Sequence, residues 1–314
     1  MRYYFAPLEG LTDRIYRRLH HKYFPGITQY YTPFFSPTVH HCLTPKEQRE
    51  LPPADSLGYP LVPQVLTKNA EDFLWMAQQC RELGYTEVNL NLGCPSGTVT
   101  AKGKGSGMLS DPDGLDSFLY TIFTKAPTAI SVKTRIGFSF PEEFPALLEI
   151  FNRYPIKELT VHPRVRVAFY KGAVNMEAFR YAVQTSRAPV CYNGNLCSTK
   201  ETLSITEAFP GINAVMLGRG LIADPGMLTT GGTTTAALEQ FYSELLEEYL
   251  RAFGGSRNAM FRLKENWRYL ICKFEGGETL YKRLRKTTDL AEYKTLTHEI
   301  FRTLPLRRTL MPDW

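Results

Sequence analysis

The sequence of 314 residues predicts an α/β fold, a TIM (β/α)8 barrel, followed by a small α-helical domain. Eight short β-rich runs alternate with longer amphipathic runs up to about residue 228. An open doubly wound sheet would explain this alternation equally well. The strand count, and the polar residues at the carboxyl ends of the strands, favour the barrel. No strand pattern follows residue 236, so the rest of the chain is predicted to be helical.

The predicted strands are rich in β-branched and aromatic residues, and they lie at 3–7, 27–32, 61–65, 87–91, 129–134, 158–162, 188–193 and 214–218. Apolar residues at helical spacing predict helices between them, at 70–84, 111–126, 141–154, 175–186 and 198–209. The helix at 111–126 has a favourable start, because Asp111 can cap it and Pro112 suits the first helical position.

The segment TTGGTTT at 229–235 predicts a linker. It would separate a barrel domain of residues 1–228 from a helical domain of residues 236–314. Two helices are predicted at 237–254 and 258–274, and two more before Pro312.

Positive charge is concentrated in the helical domain. The net charge of the chain is +6, and residues 257–286 alone hold nine basic and three acidic side chains. A cluster of this kind is typical of a surface that binds a polyanion, although a solvated helical face would look the same. The residues expected on such a surface are Arg257, Arg262, Lys264, Arg268, Lys282, Arg283, Arg285 and Lys286.

The cysteine pattern and the lack of long apolar runs indicate the cellular setting of the protein. The six cysteines form no CxxC pair, so we expect reduced thiols, no metal site and a cytoplasmic location. The opening MRYYFAPLEG has no apolar core typical of a signal peptide, and no apolar run approaches the roughly 18 residues that span a bilayer. We expect a monomer that does not bind membranes.

Polar or special residues end seven of the eight predicted strands: Pro7, Gln64, Asn91, Lys133, His162, Asn193 and Gly218. In a barrel the carboxyl ends of all strands meet at one face, where active sites lie. A lysine there can stabilise negative charge on a flavin ring, and Gln64 can both donate to and accept from its polar edge. For His162, a core histidine bonded to backbone is the alternative.

Two glycine turns follow the last two predicted strands. CYNGN at 191–195 and GRG at 218–220 lie where barrels often bind phosphate, because backbone N–H groups converge there. Glycine allows the backbone to approach the anion, and Arg219 could add charge.

Six motifs occur in the order and spacing of the tRNA-dihydrouridine synthases, which this sequence resembles. They are FAPLEGLTD (5–13), NLNLGCPSGTV (89–99), SVKTRIG (131–137), LTVHPR (159–164), CYNGN (191–195) and VMLGRG (215–220). The resemblance implies an FMN-bearing barrel followed by a helical tRNA-binding domain. It implies reduction of specific uridines in the tRNA D-loop to 5,6-dihydrouridine, with NADPH reducing the flavin.

By this resemblance Cys94 is the general acid, and Asn91 holds the edge of the uracil. Flavin N5 would deliver hydride to uracil C6, and Cys94 would give a proton to C5. An ordinary thiol, with a pKa of about 8.5, is mostly protonated at neutral pH and can donate. The flavin-binding positions implied are Pro7, Leu8, Glu9, Gln64, Lys133, His162, Asn193, Gly194, Asn195, Gly218 and Arg219.

Some positions depart from the family pattern. Leu8 stands where the family often has methionine, and Pro163 stands where glycine is usual. The glycine-rich segment 102–108 fits the mobile loop that closes over the target base, and 36–59 carries no motif that predicts a role.

Two alternatives are considered beside this interpretation. One is an FMN barrel that reduces a small molecule, similar to a dihydroorotate dehydrogenase or an enoate reductase, which would need no basic helical domain. The other is an RNA-binding protein with an inactive barrel, which would be expected to lack the cysteine or a phosphate turn. The sequence does not indicate which uridine is modified, or whether NADPH is preferred over NADH.

Overall fold

Nine strands form one sheet in this computed structural model, which describes residues 1–310 and 312. Their bounds are β1 Arg2–Phe5, β2 Gln29–Tyr31, β3 Leu61–Val62, β4 Gln64–Val65, β5 Glu87–Leu92, β6 Ala129–Arg135, β7 Leu159–His162, β8 Val190–Tyr192 and β9 Ala214–Leu217.

The order of the strands identifies the sheet as a barrel. The strands lie in the order β3-β2-β1-β9-β8-β7-β6-β5-β4, and Pro63 alone separates the two end strands in the sequence. The sheet is therefore nearly closed, whereas an open doubly wound sheet would have two edges far apart in the chain. The predicted TIM barrel is confirmed.

All eight predicted strands are present, and the ninth arises because one predicted strand is divided in two. Pro63 interrupts the run at 61–65, since proline has no N–H to donate to a neighbouring strand. Its carbonyl oxygen still accepts a hydrogen bond from Asn89 N at 2.8 Å, so the two halves stay aligned with β5.

Helices follow most strands. Their bounds are α1 Arg14–Tyr23, α2 Pro45–Glu50, α3 Ala70–Glu82, α4 Gly97–Thr100, α5 Pro112–Lys125, α6 Phe144–Phe151, α7 Met176–Thr185, α8 Thr199–Ala208, α9 Arg219–Ala223, α10 Thr235–Phe253, α11 Ser256–Leu270, α12 Glu278–Leu284 and α13 Leu290–Thr303. Every predicted helix is present, and Asp111 Oδ1 caps α5 by accepting from Gly114 N at 3.1 Å. Sequence patterns did not predict α1 or the short helices α2, α4 and α9.

The register of the parallel strands aligns polar side chains in the middle of the sheet. Gln64 pairs with Asn89, Asn89 with Ser131, and Asn91 with Lys133. Successive side chains of a strand point to opposite faces, so the leucines between the asparagines face the other way. Leu90 and Leu92 are fully buried.

The chain divides into two compact units, and neither is a continuous segment. The first comprises residues 1–4, 29–194 and 205–216, and the second comprises residues 5–28, 195–204 and 217–314. The predicted domain boundaries at 228 and 236 stay a proposal. Among the described helices none is long and apolar enough to span a membrane.

Within the second unit, α10 packs on α1. The ring of Phe241 lies 5.3 Å from the ring of Tyr16 and 5.3 Å from that of Phe24. Two surface ion pairs join the same helices, Arg18 with Glu248 at 3.0 Å and Lys22 with Glu244 at 2.6 Å. Aromatic burial supplies most of the stabilisation here, because exposed ion pairs contribute about 0–1 kcal/mol each.

Candidate active site

Cys94 lies in a turn that directly follows β5. Asn91 Oδ1 accepts hydrogen bonds from Gly93 N at 3.0 Å and from Cys94 N at 2.9 Å, which is the bonding pattern of an Asx turn. The carbonyl oxygen of Cys94 accepts from Ser106 Oγ at 2.7 Å. The half-buried thiol therefore stands on a backbone that is held from both sides.

Asn91 belongs to a buried row of hydrogen-bonded side chains. Its Nδ2 donates to Gln64 Oε1 at 2.7 Å, and Gln64 Nε2 donates to Asn89 Oδ1 at 2.8 Å. Asn89 Nδ2 donates in turn to Ser131 Oγ at 2.9 Å. An amide group carries two N–H donors, so Asn91 and Gln64 each keep one further N–H for a ligand.

Lys133 lies beside Asn91 in the next strand. Burial, and secondly the charge of Arg135, lower the pKa of its ammonium group from 10.5 to about 8. Within the described part of the chain, no salt bridge or hydrogen bond engages this half-buried cation. A desolvated cation without a counter-charge is suited to an anionic or electron-rich group supplied by a ligand. The residues of the first unit therefore fit the polar edge of a flavin ring.

Arg135 is a site residue that sequence analysis missed. It is fully buried, its Nε donates to Gly93 O at 2.9 Å, and one terminal nitrogen donates to Val165 O at 2.9 Å. Burial lowers the pKa of its guanidinium to about 10. Period-two alternation could have identified it, because residues two apart in a strand share a face with Lys133.

His162, predicted to contact the flavin, is buried at the end of β7. Its Nε2 lies 3.1 Å from a terminal nitrogen of Arg164, a second buried arginine that sequence analysis missed. A guanidinium can only donate, so Nε2 is the acceptor in this contact.

The first glycine turn, after β8, holds two residues of the first unit. Asn193 Nδ2 donates to Met216 O at 2.8 Å, which ties this turn to β9. A Cβ atom on Gly194 would lie 2.8 Å from Tyr192 Oη, so only glycine fits there without a shift.

The second glycine turn lies in the second unit. A Cβ atom on Gly220 would lie 2.1 Å from Leu196 O. The backbone of α9 is therefore so close to the 196–197 turn that only glycine fits at position 220. Arg219 donates to Asn195 Oδ1 at 3.0 Å. Asn195 has a φ of 27°, which makes it one of three described non-glycine residues with positive φ. Glycine at position 220 therefore allows α9 to pack closely on the neighbouring 196–197 turn.

Pro7, Leu8 and Glu9 also lie in the second unit, in a turn between β1 and α1. Leu8 N donates to Thr12 Oγ1 at 2.9 Å, and Leu8 O accepts from Leu11 N at 3.0 Å. A Cβ atom on Gly218 would lie 3.8 Å from the Leu8 side chain. Two segments that the sequence predicts to contact the flavin are therefore neighbours.

Six of the eight members of the basic cluster are exposed, and two are half-buried. Arg262 is half-buried and hydrogen-bonds to Gly10 O, and Lys264 is half-buried and hydrogen-bonds to Thr287 O. Their donors are used inside the second unit because α11 packs these side chains against its neighbours. The exposed members are Arg257, Arg268, Lys282, Arg283, Arg285 and Lys286.

The sequence is similar to that of known proteins over nearly its whole length. Residues 4–300 match the sequence model of the family described as dihydrouridine synthase (Dus). The chain is 25% identical to the probable tRNA-dihydrouridine synthase 1 of Synechocystis sp., over 96% of this chain and 86% of that protein. It is 26% identical to the tRNA-dihydrouridine(16) synthase of Neisseria meningitidis, over 94% of each chain.

Solved structures agree on the fold. Morphinone reductase superposes with a TM-score of 0.50 at 12% identity, covering 77% of this chain and 86% of that one. In the described residues no group of three His, Cys, Asp or Glu side chains could hold a metal ion. The match over nearly the whole sequence shows that the chain belongs to the dihydrouridine synthase family.

Proposed function

We propose that this protein reduces specific uridines in the D-loop of tRNA to 5,6-dihydrouridine, with FMN as cofactor and NADPH as reductant. One observation carries the proposal beyond family membership. Cys94, whose backbone N–H is held by Asn91, and the desolvated Lys133, which pairs with Asn91 in register, stand at the carboxyl ends of the neighbouring strands β5 and β6.

A bound FMN, once reduced, would supply the hydride, which is two electrons with one proton, that saturates C6 of uracil. The reduction also needs one proton, and we assign its delivery at C5 to the Cys94 thiol. Asn91 fixes the backbone of Cys94, and its second amide N–H is free to donate to a uracil carbonyl. Asn91 thus positions the acid and holds the base.

The cofactor residues are assigned by the groups they offer. Lys133 and the remaining N–H of Gln64 suit the polar edge of the ring, because one is cationic and the other donates. We assign the phosphate to the two glycine turns and the flank of the ring to the turn before α1. These proposed positions are Pro7, Leu8, Glu9, His162, Asn193, Gly194, Asn195, Gly218 and Arg219.

The exposed members of the basic cluster are assigned to the tRNA backbone. Six exposed cations within one short stretch offer the sequence-independent attraction that phosphates require. The relatives are named as tRNA-dihydrouridine synthases, and we extend that substrate class to this chain.

The direct test is to incubate the purified protein with NADPH and an unmodified tRNA transcript, and then to digest the tRNA and measure dihydrouridine by mass. Mapping the modified position in tRNA from a strain that lacks the gene identifies the target. Reduction of free uridine or orotate with no change in the tRNA would instead support the small-molecule alternative.

We expect the purified protein to be yellow and to release FMN. No dinucleotide GxGxxG motif follows β1, so we assign the glycine turns to one phosphate group. Chromatography of the released cofactor checks this. Release of FAD, or a colourless protein that does not take up FMN, would contradict the assignment.

A further inference from the structure

Exposed aromatic side chains cluster on two loops at the carboxyl ends of β6 and β7. Phe140 is 66% exposed, Phe169 is 41% exposed and Tyr170 is 46% exposed. Two backbone hydrogen bonds join the loops, from Arg166 N to Gly137 O and from Val167 N to Phe138 O. We call Phe138, Phe140, Phe169 and Tyr170 the aromatic patch. Exposed apolar surface of this kind marks a binding site more often than chance.

A cation stands inside the aromatic patch. The guanidinium of Arg166 lies 5.3 Å from the ring centre of Phe138 and 5.2 Å from that of Phe169. Its buried Nε has no hydrogen-bond partner among the described residues. Arg166 also forms no ion pair with a carboxylate there. The one carboxylate tied into the 138–140 loop, Glu143, already accepts from three backbone N–H groups.

The patch is connected to the turn that carries Cys94. Arg166 donates to Thr100 Oγ1 at 2.9 Å, and Thr100 belongs to the short helix that follows Cys94. Arg135, which binds Gly93 O, lies 5.4 Å from the ring centre of Tyr170. If the target base of a tRNA were bound at Cys94, the nucleotides on either side of that base would therefore lie close to this patch.

The backbone of Phe169 supports a binding role. Its φ of 50° and ψ of −103° are unfavourable for a bulky aromatic residue. Strain of this kind persists where the surrounding structure imposes it, and it is concentrated at ligand sites. Here it keeps a phenyl ring at the surface, over Arg166.

Positive charge on the segment that follows Thr100, the residue that Arg166 contacts, indicates the class of partner. Lys68 and Lys102 are exposed. Lys104, on the same loop as Lys102, donates to Ser36 Oγ at 3.1 Å. A Cβ atom on Gly103 would lie 3.5 Å from Lys68 Nζ, so the three lysines lie close together. Flat rings, an arginine between them and nearby lysines suit single-stranded RNA, because bases stack on the rings and cations attract the phosphates.

We propose that the aromatic patch stacks the unpaired nucleobases that flank the target uridine in the tRNA loop. This rests on the proposed function. The aromatic patch would be a tRNA contact on the first unit, in addition to the basic cluster of the second unit. It would select nucleotides of the loop, because their bases are already unstacked. Double-stranded stems cannot use it, because their bases have no free face.

The test compares Phe169→Leu with Phe169→Tyr in the flavin-loaded protein. Leucine keeps apolar surface but lacks a ring, so the KM for tRNA should rise about 5- to 100-fold, the range expected for one lost base stack. Tyrosine should restore the KM to within about twofold. The matched control is Tyr120→Leu, which removes an exposed ring from α5 of the same unit and should leave the KM unchanged.

Because Phe169 is strained, Phe140→Leu serves as a second variant at a position with ordinary extended backbone. It should raise the KM in the same direction, with an unchanged melting temperature. Wild-type KM in both leucine variants would overturn the patch proposal while leaving the proposed function intact. Failure of the wild-type protein to bind or reduce tRNA would instead overturn the proposed function.

Discussion

At the scale of single residues, the site depends on side chains that hydrogen bonds within the fold hold in place. Asn91 Oδ1 holds two N–H groups of the Cys94 turn while its Nδ2 binds Gln64. Bonds within a buried row of this kind fix the rotamers of all its members. The thiol is therefore placed before any ligand arrives, which is the arrangement that general acid catalysis needs.

Replacing Cys94 with alanine should leave flavin binding and reduction by NADPH unaffected but slow dihydrouridine formation about 10²–10⁴-fold, the usual effect of losing a positioned acid. Single-turnover kinetics on tRNA measure this step separately. Cys42→Ala, which removes an exposed thiol from the same unit, is the control. Dihydrouridine formation near the wild-type rate in Cys94→Ala would remove Cys94 from the mechanism.

The lowered pKa of Lys133 predicts a pH dependence of stability. Its amine binds a proton less tightly in the folded state, with a pKa of about 8, than in the unfolded state, near 10.5. Between these two pH values the unfolded chain binds more protons, so the free energy of unfolding contributed by this group rises with pH. Below pH 8 the cost of burying the charge is fully present.

Urea denaturation of the flavin-free protein tests this sign. At pH 7 the Lys133→Met variant should be more stable than the wild type by about 1–3 kcal/mol, and the difference should shrink toward pH 10. The other titrating groups are common to both proteins. A stability difference that did not change with pH would mean that Lys133 is solvated in the folded state.

At the scale of elements, the second glycine turn depends on the close packing of α9 against the 196–197 turn. Alanine at Gly220 would place its Cβ against Leu196 O, so α9 would have to move away from the 196–197 turn. We expect Gly220→Ala to cost about 1–3 kcal/mol of stability and to weaken flavin binding. Gly255→Ala is the control, since a Cβ atom there meets nothing within 4 Å.

Thermal unfolding and flavin titration of both variants measure these effects. Should Gly220→Ala bind flavin as the wild type does, the turn is not part of the phosphate cradle. The matched substitution at Gly255 removes the general effect of replacing glycine, which changes the entropy of the unfolded chain.

At the scale of the whole molecule, we expect the exposed cations of the second unit to set the salt dependence of tRNA binding. Replacing Arg283, Arg285 and Lys286 with alanine should weaken tRNA binding and flatten the plot of log affinity against log salt by up to about one unit per lost phosphate contact. Binding titrations at several salt concentrations measure the slope. NADPH oxidation by the flavin should not change, because that step needs no tRNA.

The control for this prediction is Arg251→Ala. Arg251 is an exposed cation of the same unit, but it pairs with Glu247 and Glu248 on α10. A salt slope that stayed the same in the triple variant would make the cluster an ordinary solvated surface. Lys264→Ala should act differently, lowering stability through the lost bond to Thr287 O.

The sequence alone determined the features that depend on local chemistry. Alternating and helical spacing located every barrel strand and the long helices, because these periods follow from backbone geometry. The Gly-Cys-Pro turn at Cys94 and the two glycine turns were visible because special residues mark special turns. Motif order then indicated the family that the match over residues 4–300 confirms.

Only the tertiary structure decided which charges are buried and what they face. Arg135 and Arg164 are buried at the ends of β6 and β7, and Arg262, an expected tRNA contact, is half-buried and bonds to Gly10 O, 252 positions away in sequence. Nothing in a charge count distinguishes these arginines from exposed ones. Burial and partner depend on which distant segments pack against a side chain, and that is set by the whole fold rather than by neighbouring residues.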